Sequence, residues 1–240
     1  MAEINYQGSQ KKTYYQIDKD GKLWRKAKED ETQFVYEHLK QEGKNAGKTE
    51  RRKTVMALQG LVYDFYLYHS DVVGKQFIVE IFDNGSLQVL TIPADSSYYE
   101  SFRRVIPNLK VGQEYQFFSW KMGKKDKDGK PMEGFVYGIT VKQMPDLLKV
   151  ESFFDKEKIN QLCPVDQSQL DLLGKDYWKI YYVLLDKAFE TRVIPHYRKE
   201  FEKFKADNPI GSPEDQNETV AATAPVKHDP IGGEESDLPF

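Results

Sequence analysis

Gly43-Lys44-Asn45-Ala46-Gly47-Lys48-Thr49 is the stretch most like a phosphate-binding loop, in which glycines free backbone N–H groups to cradle phosphates. It has three residues between its glycines where that loop has four, and no apolar strand precedes it, so nucleotide chemistry is not expected. Asp126-Lys127-Asp128-Gly129 starts like a calcium loop, but its glycine comes two places early and no glutamate closes it. A hairpin turn is expected there instead. Asn217-Glu218-Thr219 matches a glycosylation acceptor, which has meaning only in a secreted chain. Cys163 is the one cysteine, which excludes an internal disulfide, and His38, His69, His196 and His228 are too scattered to complete a zinc set. No Ser/His/Asp, Cys/His or HExxH arrangement is legible, and Asp64 and Asp83 stand as lone carboxylates. The expectation is a protein without catalytic residues, metal or cofactor.

A second set of residues suits nucleic acid. Binding single strands without sequence choice needs cations for phosphates and aromatic faces for bases, since every base has a π-face. Aromatic residues crowd the strand-like middle of the chain, including Tyr63, Phe65, Tyr66, Tyr68, Phe77, Phe82, Tyr115, Phe117, Phe118, Trp120, Phe135 and Tyr137. Alternation along a strand lets about half of them face outward. With polar neighbours as the guide to the outer face, Phe82 goes with Glu80, Tyr66 and Tyr68 go with Asp64, and Trp120 goes with Gln116 and Phe118. The candidate stacking set is therefore Trp120, Tyr66, Tyr68 and Phe82. Lys121, Lys124, Lys125, Lys127 and Lys130, with Arg51, Arg52 and Lys53, are the candidate phosphate contacts.

Charge is divided along the chain. Asp207–Phe240 carries eight acidic residues against Lys227 alone, a formal −7, which leaves +4 on residues 1–206 within a chain of net −3. That segment is rich in Pro, Gly, Ser, Thr and Ala, has no aromatic residue before Phe240, and reads as a disordered acidic tail. Its end, Glu234-Glu235-Ser236-Asp237-Leu238-Pro239-Phe240, combines acids, a terminal ring with its α-carboxylate, and a proline that limits the entropy lost on docking. Asp237, Leu238, Pro239 and Phe240 are the candidate partner-binding residues.

The elements that must position these groups follow from periodicity. Residues Thr13 to Arg25 read as a hairpin around Lys19-Asp20-Gly21-Lys22, and the spacing of Phe34, Val35, His38 and Leu39 predicts a helix over Glu29–Gln41. Gly43–Lys53 reads as a mobile basic connection. Strands are expected at about Thr54–His69, bent near Gly60, then Lys75–Asp83 and Ser86–Ile92, with Asn84-Gly85 turning between the last two. A helix capped by Asp95 or Ser96 and ended by Pro107 and Asn108 comes next. Strands at Glu114–Met122 and Glu133–Gln143 flank the lysine-rich loop, and helices at Phe153–Leu162, Ser168–Ala188 and on to Lys205 follow, the last interrupted by Pro195.

The order β-β-β-α-β-β is that of a five-stranded oligonucleotide-binding (OB-fold) barrel. The fold class expected is mainly β with appended α. Residues 1–53 (hairpin, helix and basic connection) and the helical appendage 149–206 would pack on the barrel, 54–148, and 207–240 would form the tail.

The C-terminal tip tightly, and the barrel region loosely, resemble single-stranded-DNA-binding proteins of a divergent bacteriophage or bacterial type. The resemblance implies sequence-tolerant coating of single-stranded DNA in replication, recombination or repair, with the tip recruiting partner proteins. The N-terminal hairpin and the helices from Lys149 to Lys205 depart from the bacterial housekeeping pattern, which leaves homo-oligomerisation open. An RNA-binding or strand-annealing protein and a replisome adaptor that binds protein only are the alternatives. No run of 18 apolar residues and no apolar leader occurs, so a soluble protein of the bacterial or phage-infected cytoplasm, without a membrane partner, is expected.

Overall fold

The computed structural model of the chain describes residues 12–40, 46–71, 73–154, 183 and 185–208. The ten strands lie in one mixed sheet: β1 (Lys12–Ile17), β2 (Leu23–Lys26), β3 (Val35–Leu39), β4 (Thr49–Val55), β5 (Leu58–Ser70), β6 (Gly74–Asp83), β7 (Ser86–Pro93), β8 (Glu114–Lys125), β9 (Pro131–Gln143) and β10 (Leu148–Lys149). Their spatial order is β10-β9-β8-β5-β6-β7-β1-β2-β4-β3.

The middle of the sheet follows the expected element order. β6 and β7 are joined through Asn84 and Gly85, both at positive φ (46° and 79°), the signature of the two-residue turn whose twist matches a hairpin. β5 pairs with β8 through Leu58–Leu61 and with β6 from Leu61 onward, with its irregularity at Val62/Asp64 just past Gly60. Helix α1 (Ser97–Arg103) is capped by Ser96, whose Oγ accepts from the Tyr99 N–H at 3.3 Å, and a 3-10 turn at Ile106–Asn108 ends the segment.

The sheet does not close into a barrel. Among the described residues no ladder joins β7 to β9; β1 takes the free edge of β7 in parallel register, Tyr14 beside Val89. Two other contacts fill the opening. α1 packs on β9, where Ser101 Oγ accepts the Ile139 N–H at 3.4 Å. The β1–β2 turn reaches β8, where Ser119 Oγ–H donates to the Gly21 carbonyl at 2.7 Å.

Three expectations in the N-terminal region are corrected. Glu29–Gln41 holds no helix in its described part: Phe34 is at φ 57° and 76% exposed, and Val35–Leu39 is the edge strand β3. The apolar spacing that mimics a helix turn is met here by cross-strand pairing, Tyr36 beside Arg52 and His38 beside Glu50. The basic stretch up to Lys53 is not a loose connection from Thr49 on, because β4 is hydrogen-bonded to β2 on one side and β3 on the other. The long first strand begins at Leu58, and Thr54 and Val55 belong to β4, so the boundary drawn at 53/54 falls inside a strand.

One core spans the body and the C-terminal helix. Phe77, Val79 and Ile81 of β6 pack with Tyr99, Phe102, Phe117 and Phe189. Helix α2 (Ile194–Asp207) follows directly on a π-helical turn at Phe189–Val193, with Pro195, which has no N–H to donate, standing where that turn passes into the α-helix. It lays Tyr197 and Phe201 against Phe65 at ring separations of 4.9 and 5.1 Å. Tyr197 Oη–H lies 2.8 Å from the Ile106 carbonyl and 2.5 Å from that of Leu109, and buried Arg103 pairs with Asp186. Of the helix expected over Phe153–Leu162 only Phe153 and Phe154 are described; the rest of it, the part of Ser168–Ala188 up to residue 182 with residue 184, and the tail from residue 209 lie outside the described residues.

Candidate nucleic-acid interface

The lysine-rich segment is an arm rather than a loop. β8 runs on to Lys125 and β9 starts at Pro131, so only Asp126–Lys130 form the turn. Asp126 Oδ1 accepts the N–H groups of Asp128 (2.9 Å) and Lys130 (2.8 Å), and the Gly129 N–H donates to the Asp126 carbonyl at 3.1 Å. Lys124, Lys125, Lys127 and Lys130 are exposed and make no ion pair among the described residues.

Residues directly opposite across antiparallel strands share a face. On the outer face of β8 and β9, Phe118, Trp120, Met122 and Lys124 run in line beside Thr140, Gly138 and Val136. Trp120 is half-buried: its indole covers Gly138, where a Cβ would lie 2.3 Å from the ring, and its Nε1–H donates to Thr140 Oγ1 at 3.0 Å. Lys142 Nζ sits 5.2 Å from the centre of the Phe118 ring. Alternate residues on a strand stand about 6.8 Å apart, so the row offers successive stacking positions with a cation at each end. Phe118 and Lys142 extend the row beyond the candidate stacking and phosphate-contact residues. The signal that could have found them is the shared parity of Gln116, Phe118 and Trp120, extended one strand further to Lys142.

The other chosen aromatics do not join this row. Trp120 lies three residues beyond the Leu58–Phe117 pair, away from β5, whereas Tyr66 lies at the far end of β5. The two are roughly 35 Å apart along the strand path. Tyr66 and Tyr68 are half-buried, opposite Ile78 and Gln76. The Tyr66 hydroxyl bonds Glu80, and burial together with Glu80 and Asp64 pushes its pKa well above the usual range. Phe82 is corrected outright: it is 5% exposed and offers no face to a base. The polar neighbour used to orient it, Glu80, is itself 8% exposed and lies 3.7 Å from Lys12 Nζ. β6 is thus buried on both faces, as its nearly unbroken apolar run allows.

The basic residues of β4 are engaged within the protein. Arg51 donates to the carbonyls of Glu29 (3.2 Å) and Glu31 (2.7 Å), holding the loop before β3. The Arg52 guanidinium lies 3.5 Å over the Trp24 ring and bonds Glu50 at 2.7 Å. Lys53 Nζ reaches Glu31 at 3.0 Å, and Arg25 forms a two-pronged pair with the same carboxylate. These partners hold the Glu31 carboxyl far below the usual carboxylate range, Arg25 first among them. A cation already engaged offers little to a phosphate, so among the candidate phosphate contacts Lys124, Lys125, Lys127 and Lys130 are the ones with neither an ion pair nor a side-chain hydrogen bond among the described residues.

The inner face of the arm carries Lys121 opposite Tyr137 and Gly123 opposite Phe135. Lys121 Nζ lies 4.3 Å from the Phe135 ring centre and 5.8 Å from that of Tyr137. Tyr137 meets Tyr98 edge-on at 5.4 Å, and burial pushes the Tyr98 phenol up to about 12. Asp237, Leu238, Pro239 and Phe240 lie outside the described residues. Among the described residues no group of His, Cys, Asp and Glu could hold a metal ion, and no helix is long and apolar enough to cross a membrane. Compared with known proteins, the chain matches no family model, no curated sequence and no solved structure.

Proposed function

We propose that this protein binds single-stranded DNA with little sequence preference along the outer face of β8 and β9, coating it during replication, recombination or repair. The observation that carries the reading is the Phe118–Trp120–Met122 row, backed by Gly138 and bracketed by Lys142 and Lys124. Bases would stack on the rings while the arm lysines meet phosphates, an arrangement that tolerates any sequence. The OB-type strand order from β5 to β9 supports the same reading. The C-terminal tip, Asp237–Phe240, would recruit partner proteins, and the −7 tail would compete with DNA for the +4 body.

The test is a titration of oligothymidylate, and of its RNA counterpart, into the intact protein at two salt concentrations. Tight binding that weakens with salt, and that drops about tenfold or more in Trp120→Ala, is expected. Binding indifferent to Trp120, or stronger on RNA than on DNA, would contradict the proposal.

A further inference from the structure

The inner face of the arm holds an aromatic ladder that the outer-face reading leaves unused. Phe135 is 52% exposed, stands 6.4 Å from Tyr137, and through it leads to buried Tyr98, whose hydroxyl has no hydrogen-bond partner among the described residues. The residue across the strand from Phe135 is Gly123, so no side chain there shields the ring, and the cation over it is Lys121. Lys121 is held from the other side by the β1–β2 turn: its Nζ donates to the Lys19 carbonyl at 3.1 Å and to Asp20 Oδ1 at 3.2 Å. The turn keeps its place without that ion pair. Ser119 Oγ–H bonds the Gly21 carbonyl, and Gly21, at φ 79°, approaches so closely that a Cβ would stand 2.9 Å from the Lys121 nitrogen.

We propose that Lys121 is a latch over a second base-stacking site, Phe135, and that a phosphate of single-stranded DNA opens it by replacing Asp20 as the partner of the ammonium group. The inference rests on the function proposed above and adds a second, regulated face to the arm. The Asp20 carboxylate is 56% exposed, so its pair with Lys121 is weak and easily exchanged for a phosphate. Exchange draws Lys121 off the ring, and Phe135 then meets a base, with Tyr137 behind it. The occupant is a nucleic-acid strand because the segment Lys121–Tyr137 holds five lysines against three acids, and because this face is continuous with the Trp120 row through the same two strands.

The experiment is anisotropy of a labelled oligothymidylate with the full chain and Asp20→Asn, Phe135→Ala, the double variant and Trp120→Ala. Asp20→Asn should tighten binding by about 2- to 5-fold, and Phe135→Ala should weaken it by about 10-fold. The double variant should match Phe135→Ala, because an open latch gains nothing without its ring. A neutral Asp20→Asn, or one whose gain persists in the Phe135→Ala background, overturns the latch. If Trp120→Ala still weakens binding, the outer-face reading survives that result. A full chain that binds no oligothymidylate overturns both.

Discussion

Phe82 and Trp120 differ in what lies around them. Trp120 faces Gly138, so its ring rests on backbone and keeps a solvent-facing side, whereas Phe82 sits between Leu61 and Leu87 in a strand buried on both faces. Parity along a strand tells which side a residue takes, and says nothing of whether that side is covered. Phe82→Ala should therefore act on stability, lowering it by about 3 to 5 kcal/mol, with no change in DNA affinity of the folded protein. Urea unfolding and oligothymidylate titration of the same sample separate the two effects.

At the scale of elements, β4 shows why the N-terminal third was hard to read. Thr49–Val55 is a strand paired on both sides, yet its sequence, TERRKTV, carries the charges of a loop. The charges are tolerated because each is partnered: Lys53 by Glu31, Arg51 by the Glu29 and Glu31 carbonyls, Arg52 by the Trp24 ring and by Glu50 of its own strand, and Glu50 also by Lys40. No local pattern announces such partners. The Glu31 cluster also links this region to pH. With the folded-state pKa of Glu31 depressed, its contribution is fully present above the unfolded value of about 4.3 and is lost as pH falls through the folded one. Glu31→Gln should be less stable than the parent at pH 7 and lose less on acidification to pH 3, read from denaturation midpoints at both values. The hairpins, by contrast, were legible: Asn84-Gly85 dictates its turn by backbone geometry alone, and Ser96 caps α1 from one residue away.

For the whole molecule, the C-terminal helix belongs to the same core as the sheet. Tyr197, Phe201 and Phe189 pack against Phe65 and Phe77, so this helical segment encloses the residues that the strands begin. Residues 207–240 carry the formal −7 against +4 on the rest of the chain, and that division of charge makes a prediction at this scale. Deleting Glu234–Phe240 should leave DNA affinity unchanged or raise it while abolishing partner binding; a large loss of affinity in salt-controlled titrations would count against the proposed competition. The pentapeptide Asp-Lys-Asp-Gly-Lys occurs at 18–22 and again at 126–130, and both copies fold alike. In each, the first aspartate accepts two N–H bonds and the glycine takes φ near 80°. That much is local chemistry, determined by the sequence alone. One copy is seated against β8, where a Cβ on its glycine would meet backbone, and the other ends the arm, where a Cβ on its glycine would have nothing within 4 Å. Which turn is docked, which aromatic face is covered and which lysine is already paired depend on contacts between residues up to a hundred positions apart, and only the tertiary structure decides them.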